Sequence, residues 1–427
     1  MISNARILIL GSGGREHAFA WSFANDENVA KIYCSPGNGG TGKIAENVTL
    51  DFSNHEMVME FVKNNDIDLT IVGPEAPLAD GIVDSFKKIG LSIFGPDKYA
   101  SQLESSKLFA RDMMADYNIP IPRYYACKKR SEVDSVKVKL ELPLVLKADG
   151  LAAGKGVIVC TTESEYEAGL VAMFDENVFG DAGTKISVEE CLIGEELSVF
   201  AVCDGEDYII LNTAQDHKRA YDGDKGPNTG GMGAYSPTPI STDSILRKTK
   251  STVIEPTLKA MREAGHPFVG FLYVGLMIVA GEPFVIEFNV RMGDPETQVV
   301  LPLLESSLFE LLWNATLGKI KDSSLKISPK TAVTVVLAAE GYPHSYPKGM
   351  EISGIDSKEL IFHAGTQITG NKITASGGRV LNVVGFGDDL KSAIGDVYRI
   401  VEGVNFDGKI YRKDIGQKGL KGDWEAI

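Results

Sequence analysis

The chain has 427 residues and a formal net charge of −15, with 44% hydrophobic and 24% charged residues. This length is too great for one hydrophobic core, so we expect roughly two to four domains. The acidic balance argues against a nucleic-acid-binding protein, which would carry a basic face. Anionic small substrates remain open, because local cations can hold them.

Five cysteines without C-x-x-C spacing predict reduced, buried thiols. No apolar run approaches the about 18 residues that a membrane span needs. The N-terminal "MISNARILILGSGG" predicts a first strand and not a signal peptide. We therefore expect a cytoplasmic protein that contacts neither membrane nor nucleic acid.

Residues 1–103 alternate short apolar strands with helical patterns such as "REHAFAWSFAND". This alternation predicts a doubly wound parallel sheet, with strands expected at 7–10, 31–34, 69–73 and 92–95. Each strand ends in a turn rich in Gly or Pro. Because the carboxyl ends of parallel strands meet at one edge of the sheet, these turns predict a ligand site.

The first turn, "GSGGRE", could hold a phosphate at the helix N-terminus after Gly13 and Gly14. A dinucleotide fingerprint would need a small residue in place of Glu16. It would also need an acidic residue at the end of the second strand, where Cys34 is followed by Ser-Pro. A hydride-transfer cofactor site is therefore disfavoured.

Residues 104–120 predict one helix, and strands and hairpins follow to residue 192. Longer strands then precede a Leu-rich helix, "PETQVVLPLLESSLFELLWNATLG". The last segment predicts strands with one helix at "DDLKSAIGDVYRIVEGV". We expect a multidomain α/β and α+β protein, in which a central domain pair and a mainly β C-terminal domain follow the parallel sheet. The expected domains are 1–103, 104–192, 193–327 and 328–427.

The Gly-rich segment "DGLAAGKGV" joins two apolar, β-branched runs. A P-loop joins a strand to a helix, so this context excludes one. Two interpretations remain: a hairpin whose N–H groups and Lys155 close over phosphates, or a plain surface turn. Lys147 stands at an inward position of the preceding strand, where a lysine is costly unless an anion meets it.

Glu287 and Asn289 alternate with Phe288 along one predicted strand, so their side chains point the same way. Carboxylate and amide oxygens suit Mg²⁺, which shares oxygen ligands with polyphosphate. A structural ion pair of Glu287 is the alternative. Arg291 stays in register with both if the strand continues, and Asp294 follows at the turn.

The segment "NTAQDHKRAYDGDKGPNTGGMGAYSP" (212–237) could hold a charged substrate or cover a reaction, and a solvated polar loop is the alternative. A metal at His217 is disfavoured, because no second His or Cys stands at ligand spacing. Arg379 follows two glycines and is a candidate for contact with an anion. No Ser/His/Asp or Cys/His nucleophile pattern emerges.

Together these segments resemble the phosphoribosylamine–glycine ligase (glycinamide ribonucleotide synthetase) family of ATP-grasp enzymes. The similarity spans essentially the whole chain and includes "VGPEAPLADG", "KADGLAAGKGV", "EECLIGEELS" and "EFNVRMGDPETQ". The long block from "QDHKR" to "GAYSP" is the most specific part.

The resemblance implies that ATP lies between two antiparallel sheets within 104–327. Lys107 and Lys147 would meet its phosphates, and the backbone near Glu190 and Leu192 would bind adenine. Glu196 would bind the ribose. The 150–156 hairpin would close as a lid, with contacts from Gly154, Lys155 and Gly156.

By the same resemblance, Glu287 and Asn289 would bind Mg²⁺ or Mn²⁺, while the preceding strand offers no further carboxylate. Glu75 and Asp294 would contact the substrate amine, and Arg291 and Arg379 would face phosphate or carboxylate. The implied catalytic residues are Asp294, Arg291, Lys147 and Glu75. The remaining implied substrate contacts are Ser12, Gly13, Gly14, Arg15, Asp216 and Lys218.

The implied reaction joins glycine to 5-phosphoribosylamine through a glycyl phosphate, with release of ADP and phosphate. An ATP-grasp carboxylase and a non-catalytic nucleotide-binding regulator are the alternatives. The expected partners are the small-molecule substrates. A monomer in transient contact with the preceding enzyme of purine synthesis is one arrangement left open.

Overall fold

The computed structural model describes residues 2–150, 156–175 and 185–422. The N-terminal region forms a five-stranded sheet in the order β3-β2-β1-β4-β5, and all its pairs are parallel. The strands are β1 (Ala5–Gly11), β2 (Val29–Pro36), β3 (Glu46–Asn47), β4 (Leu69–Val72) and β5 (Ile93–Phe94). The helices are α1 (Gly14–Ala24), α2 (His55–Asn64), α3 (Glu75–Asp80), α4 (Ile82–Lys88) and α5 (Gln102–Ser105).

This sheet confirms the predicted parallel class. Strand order reverses between β1 and β4, so the turns after these two strands flank the crevice where such sheets bind ligands. Those turns begin α1 and α3.

The prediction of one helix over 104–120 is wrong. Ser106 is extended, with φ −134° and ψ 108°, and its side chain accepts a hydrogen bond from the backbone N–H of Phe109. Ser106 therefore ends α5 and caps a new helix, α6 (Lys107–Asp116).

A four-stranded antiparallel sheet follows in the order β6-β9-β7-β8. It contains β6 (Tyr124–Cys127), β7 (Leu144–Ala148), β8 (Val157–Cys160) and β9 (Ile186–Glu190), with helices α7 (Arg130–Leu140) and α8 (Glu163–Leu170). Its apolar face has its own core, formed with the two helices. The segment 150–156 joins β7 to β8, so the predicted strand-to-strand context is confirmed.

A second four-stranded antiparallel sheet has the order β11-β10-β16-β17. Its strands are β10 (Glu195–Asp204), β11 (Tyr208–Ile210), β16 (Val269–Val279) and β17 (Glu282–Asn289). The accompanying helices are α9 (Asp243–Thr249), α10 (Glu255–Glu263), α11 (Thr297–Val300) and α12 (Leu308–Thr316). The predicted single Leu-rich helix is thus wrong. Pro302 lies in a 3₁₀ turn, and the Ser307 side chain caps α12.

The C-terminal sheet is antiparallel and takes two strands from the 212–237 segment. Its order is β12-β15-β18-β22-β19, with β23 beside β18. The strands are β12 (Gln215–Asp216), β15 (Gly233–Ser236), β18 (Thr331–Ala339), β19 (Leu360–His363), β22 (Arg379–Gly387) and β23 (Lys409–Ile410). Two hairpins and two helices complete the fold: β13 (Arg219–Tyr221) with β14 (Lys225–Asn228), β20 (Thr366–Thr369) with β21 (Lys372–Ala375), α13 (Leu390–Gly403) and α14 (Gln417–Lys421).

All five thiols are free, and four are buried. Cys191 is only half-buried, so it departs from the prediction of buried cysteines. Among the described residues, no helix combines the length and apolarity that a membrane crossing requires.

Candidate active site

One cavity of about 640 Å³ lies between the N-terminal parallel sheet, the two central antiparallel sheets and the C-terminal region. The turns after β1 and β4 contribute Arg15 and Glu75. The two antiparallel sheets contribute residues such as Lys147 and Glu287, and the C-terminal region contributes Arg379. The cavity therefore draws charged groups from sequence positions that are far apart.

Most sequence-predicted site residues line this cavity, and a few do not. Gly154 and Lys155 lie outside the described residues, and Ser12, Gly13 and Gly14 are not among the lining residues. Those that line it are Arg15, Glu75, Lys107, Lys147, Gly156, Glu190, Leu192, Glu196, Asp216, Lys218, Glu287, Asn289, Arg291, Asp294 and Arg379.

Glu287 and Asn289 present oxygen atoms to the cavity from β17. Lys218 Nζ lies 3.3 Å from Glu287 Oε1, and the Lys218 charge outweighs burial and lowers the pKa of Glu287 to about 2. Asn289 Oδ1 accepts a hydrogen bond of 3.2 Å from Arg291 Nη2. Gly275, opposite Glu287 on β16, leaves room for it, since a Cβ there would lie 3.0 Å from Glu287 Cγ.

These two side chains fit part of a Mg²⁺ shell, because Glu287 is ionised and both donors are hard oxygens. Protein sites often supply only one or two ligands to Mg²⁺ and leave the rest to phosphates and water. No group of three or more His, Cys, Asp or Glu suited to a metal occurs within 2–150, 156–175 and 185–422. A protein-only metal cage is therefore not what the described part of the cavity offers.

Lys147 meets an anion, as its inward position predicted, but the anion belongs to the protein. Its Nζ lies 2.8 Å from Glu189 Oε2 and donates to the Ile286 carbonyl at 2.9 Å. Arg111 binds the same carboxylate through Nε and Nη2 at 2.9 and 2.7 Å. Burial raises the pKa of Glu189, but the two cations outweigh it and lower that pKa to about 2. Lys147 is thus held in place before any ligand arrives.

Lys107 begins α6 and points its ammonium at the Gly150 carbonyl, at 2.9 Å. Burial lowers the pKa of Lys107. Asp149 accepts hydrogen bonds from the Leu108 N–H and the Ser106 hydroxyl, at 3.2 and 3.1 Å. These contacts fix the start of the 150–156 segment to the N-terminus of α6.

The end of β9 and the segment after it line the cavity through Glu190 and Leu192. The Glu190 side chain pairs with Arg123 at 2.9 Å. Glu196 then lies 3.5 Å from Lys218 Nζ, so one ammonium contacts both the predicted ribose ligand and a predicted metal ligand.

Arg291 lies beside Asn289, on the side of the cavity that faces the N-terminal region, between two carboxylates. Its Nη2 lies 2.7 Å from Glu104 Oε1, and its Nε lies 3.4 Å from Glu75 Oε2. Glu104 also accepts a hydrogen bond from the Val290 N–H at 2.8 Å. Although burial lowers the pKa of Arg291, the neighbouring carboxylates outweigh it and raise that pKa, so the guanidinium stays charged.

Arg379 fastens the C-terminal sheet to this side of the cavity. Its Nη1 donates to the carbonyls of Gly230 and Asp294 at 2.8 and 2.7 Å, and lies 3.3 Å from Asp294 Oδ1. Asp224 of the β13–β14 hairpin also lines the cavity and pairs with Arg412 and Lys418, at 2.8 and 2.6 Å.

The loop before α1 packs tightly against an acid of its own helix. Glu16 accepts a hydrogen bond from the Gly13 N–H. A Cβ at Gly11 or Gly73 would come within 2.5 or 1.9 Å of Glu16 side-chain atoms, so a side chain at either position would force Glu16 to shift. Of the 12–15 loop, Arg15 alone is among the cavity-lining residues. The phosphate contact expected after Gly13 and Gly14 stays a prediction.

Outside the 212–237 segment, sequence reasoning missed five charged residues that line the cavity, and two of them, Glu104 and Glu189, are buried partners of residues it did find. Alternation along "ISVEE" places Glu189 and Ser187 on one face, which was an available signal. Their pairing with Lys147 was not visible, because it depends on the β7–β9 register. The five are Glu104, Arg111, Glu189, Glu296 and Lys418.

Models of the phosphoribosylglycinamide synthetase family match the chain in three consecutive segments. The N domain matches residues 5–104, the ATP-grasp (A) domain matches 105–297, and the C domain matches 332–418.

Similar proteins with known names agree with these matches. The phosphoribosylamine–glycine ligase of Neisseria meningitidis serogroup B is 46% identical over 422 residues, covering 97% of this chain and 99% of the relative. That of Pseudomonas aeruginosa is 47% identical, covering 97% and 98%. The crystal structure of phosphoribosylamine–glycine ligase from Thermotoga maritima superposes with a TM-score of 0.83 at 35% identity, covering 96% of this chain and all of that one. The chain therefore belongs to the phosphoribosylglycinamide synthetase family.

Proposed function

We infer that this protein joins glycine to 5-phosphoribosylamine at the expense of ATP and forms glycinamide ribonucleotide, ADP and phosphate. Relatives at 43–47% identity over nearly the whole chain carry the name of this ligase. The structural observation that carries the proposal is the cavity of about 640 Å³, to which all three matched regions contribute charged groups.

We propose that ATP lies between the two antiparallel sheets. Lys107 and Lys147 would face its phosphates, and Glu196 would accept from the ribose hydroxyls. Support comes from Lys147, which Glu189 holds in one position, while Arg111 fixes the same carboxylate. Preorganised charge of this kind stabilises a transferring phosphoryl group without reorganisation during the reaction.

The backbone near Glu190 and Leu192 would bind adenine, because this segment lines the cavity directly after β9. Gly156, at the start of β8, would approach the phosphates as part of the 150–156 lid. Gly154 and Lys155 keep their predicted place in that lid on the sequence alone.

Glu287 and Asn289 would hold Mg²⁺ or Mn²⁺. Such a metal, when bound, supplies positive charge that neutralises the phosphate oxygens of ATP. Lys218 contacts the Glu287 carboxylate at 3.3 Å, so it would orient this ligand and add charge beside it.

We propose that the other end of the cavity binds the two remaining substrates. Arg291 and Arg379 would attract phosphate or carboxylate groups, and Arg15 would extend this cationic surface. Glu75 and Asp294 would contact the attacking amine, supported by their position beside these arginines.

The reaction divides into two displacements. A carboxylate oxygen of glycine attacks the γ-phosphorus of ATP, and ADP leaves, which forms glycyl phosphate. The neutral amine of phosphoribosylamine then attacks the acyl carbon, phosphate leaves, and the new amide nitrogen gives up a proton to a carboxylate such as Asp294 or Glu75. Positioning supplies most of the rate, because the activated acyl group needs little further acid–base help.

The test is a substrate comparison with purified protein. We expect ADP formation to require glycine and phosphoribosylamine together and to produce one amide per ATP. ATP consumption with bicarbonate, but not with this pair, would instead indicate a carboxylase. Nucleotide binding without any turnover would indicate a regulator.

A further inference from the structure

Ten carboxylate side chains line the cavity, and eight of them have an Arg or Lys nitrogen within 3.5 Å. The other two are Asp216 and Glu296. Across the described ranges, neither of these two forms an ion pair. They are also not surface groups, because Asp216 is 7% and Glu296 3% exposed.

Glu296 is held in place although it lacks a cation. Burial raises the pKa of Glu296, and the neighbouring Tyr273 hydroxyl, whose Oη lies 2.9 Å from Ser198 Oγ, opposes this in part. Gly293 leaves room for the carboxylate, since a Cβ there would come within 2.3 Å of Glu296 Oε2. Glu296 is thus packed beside the cavity by neighbours that carry no positive charge to neutralise its carboxylate.

Two cations act on Asp216 and Glu296, and both are already engaged. Arg291, which attracts Glu296, lies between Glu104 and Glu75. Lys218 attracts both acids, but its Nζ lies 3.3 Å from Glu287 and 3.5 Å from Glu196. Burial raises the pKa of Asp216 and of Glu296, and the Glu296 charge raises that of Asp216 further. Two buried acids without a cation of their own are costly as a charged pair, and a bound cation would relieve this cost.

Among the substrates of the proposed reaction, one carries a positively charged group that could meet these two acids. ATP and the phosphate of phosphoribosylamine are anionic. The amine of phosphoribosylamine stands beside a ring oxygen that lowers its basicity, and it must be neutral to attack. Glycine, in contrast, carries a full ammonium next to the carboxylate that reacts.

We propose that Asp216 and Glu296 bind the ammonium group of glycine, an inference that rests on the proposed ligase function. Asp216 and Lys218 both line the cavity two residues apart, and Lys218 contacts Glu287. Glycine held by its ammonium at Asp216 would therefore turn its carboxylate toward the Glu287 end, where we place the γ-phosphate. The pair acts as a binding and orienting site and takes no part in bond formation.

The test compares Asp216→Asn and Glu296→Gln with wild type at saturating levels of the other substrates. We expect the KM for glycine to rise roughly 10- to 100-fold, as is common when one partner of a buried charged contact is removed. The KM values for ATP and for phosphoribosylamine should stay within about twofold, since neither ligand contacts the pair. Glu402→Gln, an exposed acid on α13, is the matched control and should leave all three constants unchanged.

A second arm uses the wild-type enzyme with glycolate, in which a neutral hydroxyl replaces the ammonium. We expect glycolate to support ADP formation at least about 100-fold less well than glycine, and this ratio to shrink in Glu296→Gln. Equal use of the two acids by wild type would overturn the proposal, even if both variants failed to fold. So would a folded variant in which the KM for phosphoribosylamine rises instead of that for glycine. Failure of wild type to ligate glycine at all would overturn the proposed function instead.

Discussion

The cavity has two ends that are built in different ways. The nucleotide end is the part around Lys147, where we place ATP, and the substrate end is the part around Arg291 and Arg379, where we place the other substrates. At the nucleotide end, Lys147, Glu189 and Arg111 form a closed, buried cluster that belongs to one stretch of the chain. At the substrate end, Arg15, Arg291 and Arg379 come from three regions that the sequence places far apart. One end is therefore complete within the central region, while the other exists only when the three regions pack together.

This difference predicts that mutations at the two ends will have different consequences for activity and stability. Damage at the nucleotide end should impair ATP use and phosphoryl transfer with limited effect on the rest of the fold. Damage at the substrate end should also weaken the packing of the regions, because the same arginines bridge them. Arg379, for instance, donates to carbonyls of Gly230 and Asp294 across the boundary with the C-terminal sheet.

The largest expected effect is that of Glu287→Ala at the nucleotide end. Loss of the ionised metal ligand should lower kcat roughly 1000-fold or more while folding stays intact. Steady-state kinetics measures the fall in kcat, and circular dichroism checks that the variant is folded. Glu282→Ala, on the same strand but exposed and paired with Lys248, is the control that should stay active. Substantial activity in Glu287→Ala would remove Glu287 as the metal ligand.

Arg291→Met tests the substrate end. It leaves Glu104 and Glu75 without their cation, and breaking such a buried pair costs about 3–5 kcal/mol of unfolding free energy. The pKa of Glu104 is already raised by burial. Since a raised pKa in the folded state favours proton uptake, the loss of stability should shrink as pH falls. Urea unfolding between neutral and mildly acidic pH measures this, and a loss that does not depend on pH would contradict the assignment.

Glu189→Gln tests whether the nucleotide-end cluster positions Lys147. We expect the KM for ATP to rise roughly tenfold, because Lys147 loses its ionic partner. The pKa of Glu189 is lowered to about 2 from an ordinary 4.5, so its stabilising effect is complete above about pH 4.5 and fades as pH falls toward 2. The difference in unfolding free energy between wild type and variant, followed through this window, should narrow accordingly.

Gly73→Ala should act on the substrate end and leave the nucleotide end alone. Its Cβ would lie 1.9 Å from Glu16 Oε1, so Glu16 and the loop before α1 must shift, at about 1–3 kcal/mol. We expect weaker binding of phosphoribosylamine with an unchanged KM for ATP. Gly90→Ala is the control with open space around its Cβ, although its positive φ adds a small strain of its own. Equal effects on both substrates would contradict a division between the two ends.

Lys418→Gln should have the smallest effect. Lys418 lines the cavity but is partly exposed, and its pair with Asp224 is shared with buried Arg412. Exposed pairs contribute about 0–1 kcal/mol, so we expect less than about a tenfold change in kcat/KM. Lys421→Gln, an exposed lysine at the end of the same short helix, is the matched control.

Short-range sequence patterns were enough to predict most local elements of this protein and many of the residues that line its cavity. Alternating apolar strands and Gly-rich turns predicted the parallel sheet. The strand context of "DGLAAGKGV" excluded a P-loop, and Glu287 and Asn289 were predicted on one face of a strand that the structure contains. These features depend on the two-residue period of strands and on turn chemistry, which operate over a few neighbouring residues.

The partners of the charged groups could not be predicted, because they come from distant segments of the chain. Glu189 meets Lys147 because β7 pairs with β9, and Glu104 meets Arg291 across 187 positions of the chain. Packing also placed two strands of the 212–237 segment in the C-terminal sheet, and among the described residues it left Asp216 and Glu296 without an ion pair. The physical reason is that ion pairing depends on distance in space, and the register of strands brought together from distant segments sets that distance.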